Sequence, residues 1–328
     1  MRFNTPMITC YGEALIDLIV SPYSLRSMCT DSQACLGGSV LNFCIASARQ
    51  GVATAYLNPL SFDSFGAQFR AILAHEGVAL AFSQPSRQPT SIAVVQLDAA
   101  GKASYAFHRE AVADRDVSAE QAIAALPAAA TLLHTGCLML VPADWPKTHS
   151  LLQAAHARGM LVSVDANLRT VVCPDLAPYR ASVLAACAMA QVVKVSDDDV
   201  KDLGLAGDDV VATAGQLLAN ATTQLVALTL GAQGAWLITR SQQCFVPSPQ
   251  GLRVADTVGA GDSFGAALLA YLHKQGAATV AALNDGLPLP LMQAALQHAV
   301  TAASINVTRV GNNPATWGET VAAAVCAP

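Results

Sequence analysis

The residue types with the most chemistry in them lie at 256–272, DTVGAGDSFGAALLAYL. A Gly-Ala-Gly turn there runs into a lone carboxylate, Asp262, and then into a small-residue apolar run that reads as a helix. The N–H groups of Gly259, Ala260 and Gly261 can converge on an anion because two of the three residues carry no Cβ. The helix that follows adds its own unpaired N–H groups and the positive end of its dipole. Asp262 at such a place is a candidate base or the N-cap of that helix, and the spacing leaves both open.

Other polar residues stand where a ligand would meet them. Gly37 and Gly38 precede a helical pattern over 35–51, in which Val40, Leu41, Cys44, Ile45 and Ala48 share one side and Gly51 closes the run. Asn42, early in that helix, offers a donor and an acceptor together, which suits vicinal hydroxyls; simple loop packing explains the two glycines equally well. Asp17 interrupts the run 7–20, expected as one strand, where an ionised carboxylate is costly unless partnered. It is either an edge-strand residue facing water or an acceptor for a ligand's hydroxyls. Arg109 ends a hairpin expected over 89–109 with its turn at Asp98–Gly101, placed to reach a polar ligand or to stay solvated.

The elements that must carry these residues alternate. Strand 52–58 and helix 63–77, capped by Asp63, give a βα rhythm that resumes after 118, which predicts an α/β fold with a mostly parallel sheet. Strand 160–165 runs into DANLR at 165–169, so Asp165, Asn167 and Arg169 sit outside a strand's carboxyl end, where open α/β sheets bind ligands. The carboxylates of SDDD, 196–199, either cap the next helix or hold a hydrated Mg²⁺. Gly231 to Gly234, after strand 224–230, line a nucleotide or form an ordinary hairpin turn. His134, in apolar surroundings, reads as a core histidine.

Composition narrows the classes. Charged residues make up only 12%, against roughly 25% in a typical soluble protein, and alanine swells the hydrophobic 53%. The longest window without formal charge, 210–239, is broken by Gln216, Asn220, Thr222, Thr223, Gln224 and Gln233, so it fails as a span of about 20 apolar residues. Glu13 and Asp17 likewise cut the N-terminal apolar run, which excludes a convincing signal peptide. A net charge of −5 with no basic run argues against nucleic acid, and nine cysteines without a Cys-x-x-Cys pair argue for reduced thiols in the cytoplasm.

Two blocks, GG-x-x-x-N at Gly37, Gly38 and Asn42 and DTVGAGDSF at 256–264, in this order and at this distance, resemble the ribokinase-like (phosphofructokinase-B type) carbohydrate kinases over nearly the whole chain. GEALID at 12–17, DANLR at 165–169, KVSDDD at 194–199 and TLGAQGA at 229–235 look most like the fructokinase branch. The resemblance implies one three-layer α/β/α domain over 1–328, with a mostly parallel central sheet. It also implies a small β lid, from about 18–36 and 89–110, that covers the sugar and pairs two copies as a homodimer. ATP would supply the phosphoryl group, with Mg²⁺ and K⁺ as cations. The acceptor would be a sugar's primary hydroxyl, fructose first. Aminoimidazole riboside, ribose or 2-keto-3-deoxygluconate as substrate, or a catalytically inactive sugar-binding regulator, are the alternatives.

Carried over by position, the resemblance makes Asp262 the base and Gly259, Ala260 and Gly261 the anion hole. It sets Asp17, Gly37, Gly38 and Asn42 on sugar hydroxyls, and Arg109, Asn167 and Arg169 on sugar or phosphate. Lys194, Ser196, Thr229, Gly231 and Gly234 would line the nucleotide, Asp199 would meet Mg²⁺ through water, and Asp256 would lie beside the monovalent cation. The chain departs from the family where Ser196 and Asp199 replace the common Asn-x-x-Glu, and where Ala166 replaces the proline of DPNLR.

Overall fold

The apolar run 7–20 divides at Gly12 into two strands of different sheets. β1 (Met7–Tyr11) is buried along its whole length, while β2 (Leu15–Val20) is half-buried beyond Ile16. A continuous apolar run does not announce a change of sheet, so the single strand expected here is corrected to two. Gly12 stands at the crossing because a Cβ there would fall 2.2 Å from Val40 Cβ. The structure is a computed structural model that describes residues 6–21, 30–97 and 103–325.

β1 lies inside a nine-stranded sheet with β4 (Thr54–Tyr56), β5 (Ala79–Leu80), β8 (Ala130–Gly136), β9 (Leu161–Asp165), β10 (Val192–Ser196), β11 (Leu225–Thr229), β12 (Gly234–Ile238) and β13 (Gln243–Pro247). The order is β13-β12-β11-β10-β9-β8-β1-β4-β5, parallel except for β12 and β13. Both faces are apolar with the period of two that a doubly covered strand needs: Leu161, Val192 and Leu225 enter one core, while their neighbours Val162, Val193 and Val226 enter the other. Each such fully buried side chain contributes roughly 1.5–3 kcal/mol.

Helices α1 (Ser39–Arg49), α2 (Ser64–His75), α8 (Ala260–Lys274), α9 (Val280–Asp285) and α10 (Leu289–Val307) supply the first core. The second is filled by α3 (Ala119–Ala125), α4 (Trp145–Ala157), α5 (Leu176–Ala188), α6 (Asp197–Asp202) and α7 (Val210–Gly215). The result is a three-layer α/β/α arrangement, with α11 (Trp317–Val325) packed on α10.

β2 belongs to the smaller sheet, with β3 (Ser32–Gly37), β6 (Ser91–Leu97) and β7 (Ala103–His108) in the order β3-β2-β6-β7. β6 and β7 form the expected antiparallel hairpin, whose turn falls outside the described residues, as does 22–29 of the other expected lid segment. β2 is a central strand here, which overturns the edge-strand reading of Asp17. The seven described cysteines are free thiols, and no helix among the described residues is long and apolar enough to cross a membrane.

Candidate active site

The strand order reverses at β1: the chain runs outward through β4 and β5, returns to β8 on the other side, and continues through β9, β10 and β11. Ligands of such sheets bind outside the strand carboxyl ends at that switch point. A cleft of about 1280 Å³ opens there, between the large sheet's carboxyl edge and the small sheet, which contributes Leu15, Asp17, Ile19, Val95, Tyr105 and Phe107. It exceeds the roughly 300–1,000 Å³ of a pocket for one drug-sized ligand, so two small ligands fit side by side.

Asp262 lies on its wall, in the first turn of α8 and 8% exposed. It is not the cap of its helix. Gly259 takes that place at φ 73°, without a side-chain cap. The carboxylate is held instead by α1, where Ser39 Oγ donates to Oδ1 at 2.7 Å and Asn42 Nδ2 donates to Oδ2 at 2.9 Å. Asn167 Nδ2 in turn donates to Ser39 Oγ at 2.8 Å. Burial pushes the Asp262 carboxyl above its ordinary value, and the Ser39 and Asn42 hydrogen bonds, with Lys194 and Arg169, work against that rise. A carboxylate raised and aimed in this way suits a proton acceptor near neutral pH.

The turn ahead of it is only partly the anion cradle expected. Ala260 N–H donates to Thr257 O at 3.2 Å, which removes one of the three donors assigned to an anion. Gly261 and Asp262 keep N–H groups that first-turn geometry leaves without an intrahelical acceptor. A Cβ on Gly259 would lie 2.2 Å from Asn312 Oδ1, and one on Gly261 would lie 3.0 Å from Lys194 Nζ.

Lys194 is buried at this point, with Nζ donating to Asp165 Oδ1 at 3.0 Å and Oδ2 at 2.9 Å. Burial opposes its charge, yet Asp165, Asp199 and Asp262 outweigh that and hold the ammonium protonated. It therefore stands beside the α8 turn as a fixed cation, its donors largely committed to Asp165.

The residues expected to meet a sugar divide. Asp17 and Arg169 both line the cleft. Burial raises the Asp17 carboxyl to about 6 against the pull of Arg169. Gly37 sits behind Asp17, where a Cβ would be 2.4 Å from its Oδ2, and a Cβ on Gly38, at φ 114°, would fall 2.4 Å from Glu13 O. Asn42 spends its amide on Asp262 rather than on open space.

Arg109 does not reach the cleft, which corrects its assignment to substrate. It is buried beneath, 3.6 Å from both Asp114 and Asp144, with Nη1 donating to Leu138 O at 3.3 Å. A strand-end Arg looks the same in sequence whether it turns out to a ligand or inward to carboxylates contributed by two later segments.

Of the residues expected at a nucleotide, Lys194, Ser196, Thr229, Gly231 and Gly234 all line the cleft. Ser196 also caps α6 in a reciprocal box with Asp199. Asp199 Oδ2 accepts from Ser196 N and Oγ, both at 2.8 Å, and Oδ1 accepts from Leu168 N at 2.8 Å, so the capping alternative describes its contacts. Asp256 is similarly engaged by Val258 N at 3.0 Å and Gly311 N at 2.9 Å. No cluster of three or more His, Cys, Asp or Glu side chains able to hold a metal occurs among the described residues.

Two residues of the constellation carried no assigned role in the sequence reading, Glu13 and Ser39, and Asp165 was placed only at a ligand-binding strand end, without its Lys194 partner. Glu13 was findable as a carboxylate just past a buried strand, a costly place without a partner; Ser39 had no such signal beyond following two glycines. His134 is the core histidine expected, stacked on Phe43 with ring centroids 3.5 Å apart and pushed down to about 3 by burial.

Residues 5–317 match the pfkB family carbohydrate kinases. A fructokinase of Rhizobium leguminosarum bv. trifolii is 33% identical over 282 residues, covering 85% of this chain and 84% of that protein. The fructokinase of Xylella fastidiosa with bound ATP superposes with a TM-score of 0.81 at 27% identity, covering 96% of this chain and 97% of the other. The fructokinase of Vibrio cholerae O395, bound to fructose, ADP and calcium ion, gives 0.72 at 25% identity, covering 94% and 95%.

Proposed function

The chain belongs to the pfkB family of carbohydrate kinases, and we propose that its reaction is transfer of the γ-phosphoryl group of ATP to the primary hydroxyl of D-fructose, giving fructose 6-phosphate. The observation that carries the mechanism is the Asp262 carboxylate, held by Ser39 and Asn42 at the mouth of the α8 turn inside the cleft. Asp262 takes the proton of the acceptor hydroxyl as the new P–O bond forms. The N–H groups of Gly261 and Asp262, with the α8 dipole, stabilise charge on the transferring group, and Lys194 holds a positive field beside them.

ATP supplies the phosphoryl group when bound, along the wall formed by Ser196, Thr229, Gly231 and Gly234. Mg²⁺ would be held through water by Asp199, whose Oδ2 closes the Ser196 cap and whose Oδ1 accepts from Leu168 N and keeps a lone pair, and it would neutralise charge on the nucleotide's phosphates. A K⁺ beside Asp256 belongs to the same proposal, as do a reducing cytoplasmic setting for the free thiols and a single domain whose small sheet acts as lid and pairs two copies.

Fructose is preferred on the names and coverage of the relatives. Coupled ADP release over fructose, ribose, aminoimidazole riboside and 2-keto-3-deoxygluconate tests the assignment; absence of fructose turnover at millimolar concentration refutes it. Asp262→Asn is expected to lower kcat by about 10²–10⁴-fold with sugar-induced thermal stabilisation retained.

A further inference from the structure

Glu13 reaches the site from the crossing between the two sheets, and its surroundings fix it tightly. Gly12 N donates to Asn58 Oδ1 at 2.7 Å, and the Tyr56 hydroxyl donates to Gly12 O at 2.6 Å. Gly38 lies so close on the other side that a Cβ would sit 2.4 Å from Glu13 O. The Glu13 side chain is fully buried, and its Oε1 accepts the Ser39 N–H at 2.7 Å. Ser39 is therefore held at both ends, by Glu13 through its N–H and by Asp262 through its hydroxyl. Asn42 rides on the same turn of α1 and donates to the other Asp262 oxygen.

We propose that Glu13 is a positioning residue for Asp262: it pins the first turn of α1, and through Ser39 and Asn42 it fixes where the Asp262 carboxylate points. This rests on the reading of Asp262 as the base. A buried carboxylate could serve only to satisfy a helix N-terminus, but here the N–H it accepts belongs to a residue whose side chain holds the base, so displacement at one end is felt at the other. Arg109 from the end of β7, Asp114 from the following turn, Asp262 from α8, Tyr56 from β4, Cys137 beyond β8 and Tyr179 from α5 are the titratable groups that face it.

The test compares Glu13→Ala, Glu13→Asp and Glu13→Gln with the wild type and with Asp262→Asn, measuring kcat, both KM values, the pH profile and Tm. In Glu13→Ala the Ser39 and Asn42 hydrogen bonds that hold the Asp262 carboxyl down are loosened. The acid limb of kcat then moves to higher pH and kcat falls about 10- to 100-fold, with KM for ATP unchanged. Glu13→Gln keeps an acceptor for Ser39 and restores the limb and most of kcat. Should the alanine variant not fold, Glu13→Asp, one methylene too short to reach Ser39, reads the same shift. A wild-type acid limb in the alanine or aspartate variant, with activity lost only in step with Tm, overturns the proposal. Turnover retained in Asp262→Asn would instead overturn the reading of the base.

Discussion

Gly38→Ala separates a glycine needed by the fold from one needed by the ligand. Gly38 has φ 114°, a region that L side chains avoid, so a methyl there carries strain on the order of 1–3 kcal/mol. The methyl would also meet Glu13 O at 2.4 Å, and reaching ordinary contact at 3.4 Å takes a retreat of about 1 Å. The group that must retreat is backbone on both sides, and on one side it is the start of α1. Ser39 and Asn42 move with it, so the 2.7 and 2.9 Å hydrogen bonds to Asp262 stretch beyond useful length. Misplacement of that size is worth about 100-fold in rate, or about 2.7 kcal/mol at the transition state. Coupled ADP release should show that loss in kcat, and a thermal melt should fall by roughly 5–10 °C. Gly37→Ala is the control. Its Cβ would meet Asp17 Oδ2 at 2.4 Å, the tip of a side chain that can swing aside, and its φ is not positive. Its stability should change by about 0.5 kcal/mol or less, while sugar KM rises roughly tenfold as Asp17 is displaced. Wild-type kcat and Tm in Gly38→Ala, or losses of equal kind in the two variants, refute the reasoning.

Two further outcomes follow from buried charge. Lys194→Met leaves Asp165 buried without its cation and should cost about 3–5 kcal/mol in denaturant melts; adding Asp165→Asn should recover most of it, and simple additivity in the double-mutant cycle would deny the coupling. Burial raises Glu13 from 4.5 to about 7 and Asp17 from 3.8 to about 6, so the folded chain binds their protons more tightly than the unfolded chain. The stability they lend is complete below the unfolded values and is lost as pH rises through the folded ones, between about 4 and 7. Glu13→Gln should flatten that fall by on the order of 3 kcal/mol, and an unchanged slope in the variant would count against it.

Much of the frame was legible because it depends on local pattern. Strands 160–165 and 224–230 and helix 63–77 appear within a residue or two of their expected bounds, since apolar runs, an Asp63 cap and Gly77 at φ 71° are signals carried in consecutive residues. The short α9 and α11 escaped notice, having too few turns to show a period. The site was legible as a set of positions and not as a set of contacts. Asp262, Asn42, Asn167 and Asp17 were singled out and do converge on one cleft, but Asn42 and Asn167 turn out to lie in the chain of hydrogen bonds around Asp262.

By itself the sequence determined that this is an α/β chain with a Gly-Ala-Gly turn set before a lone carboxylate, because turn chemistry and apolar period are properties of neighbouring residues. Only the tertiary structure decided which carboxylates are spent and which are poised. Asp262 is turned away from its own helix by Ser39 and Asn42, more than two hundred positions earlier; Arg109 is drawn inward by Asp114 and Asp144; Asp199 closes a cap. Each outcome depends on partners delivered by the fold, since a buried charge takes its state from whatever donors and counter-charges surround it, and adjacency in sequence does not record them.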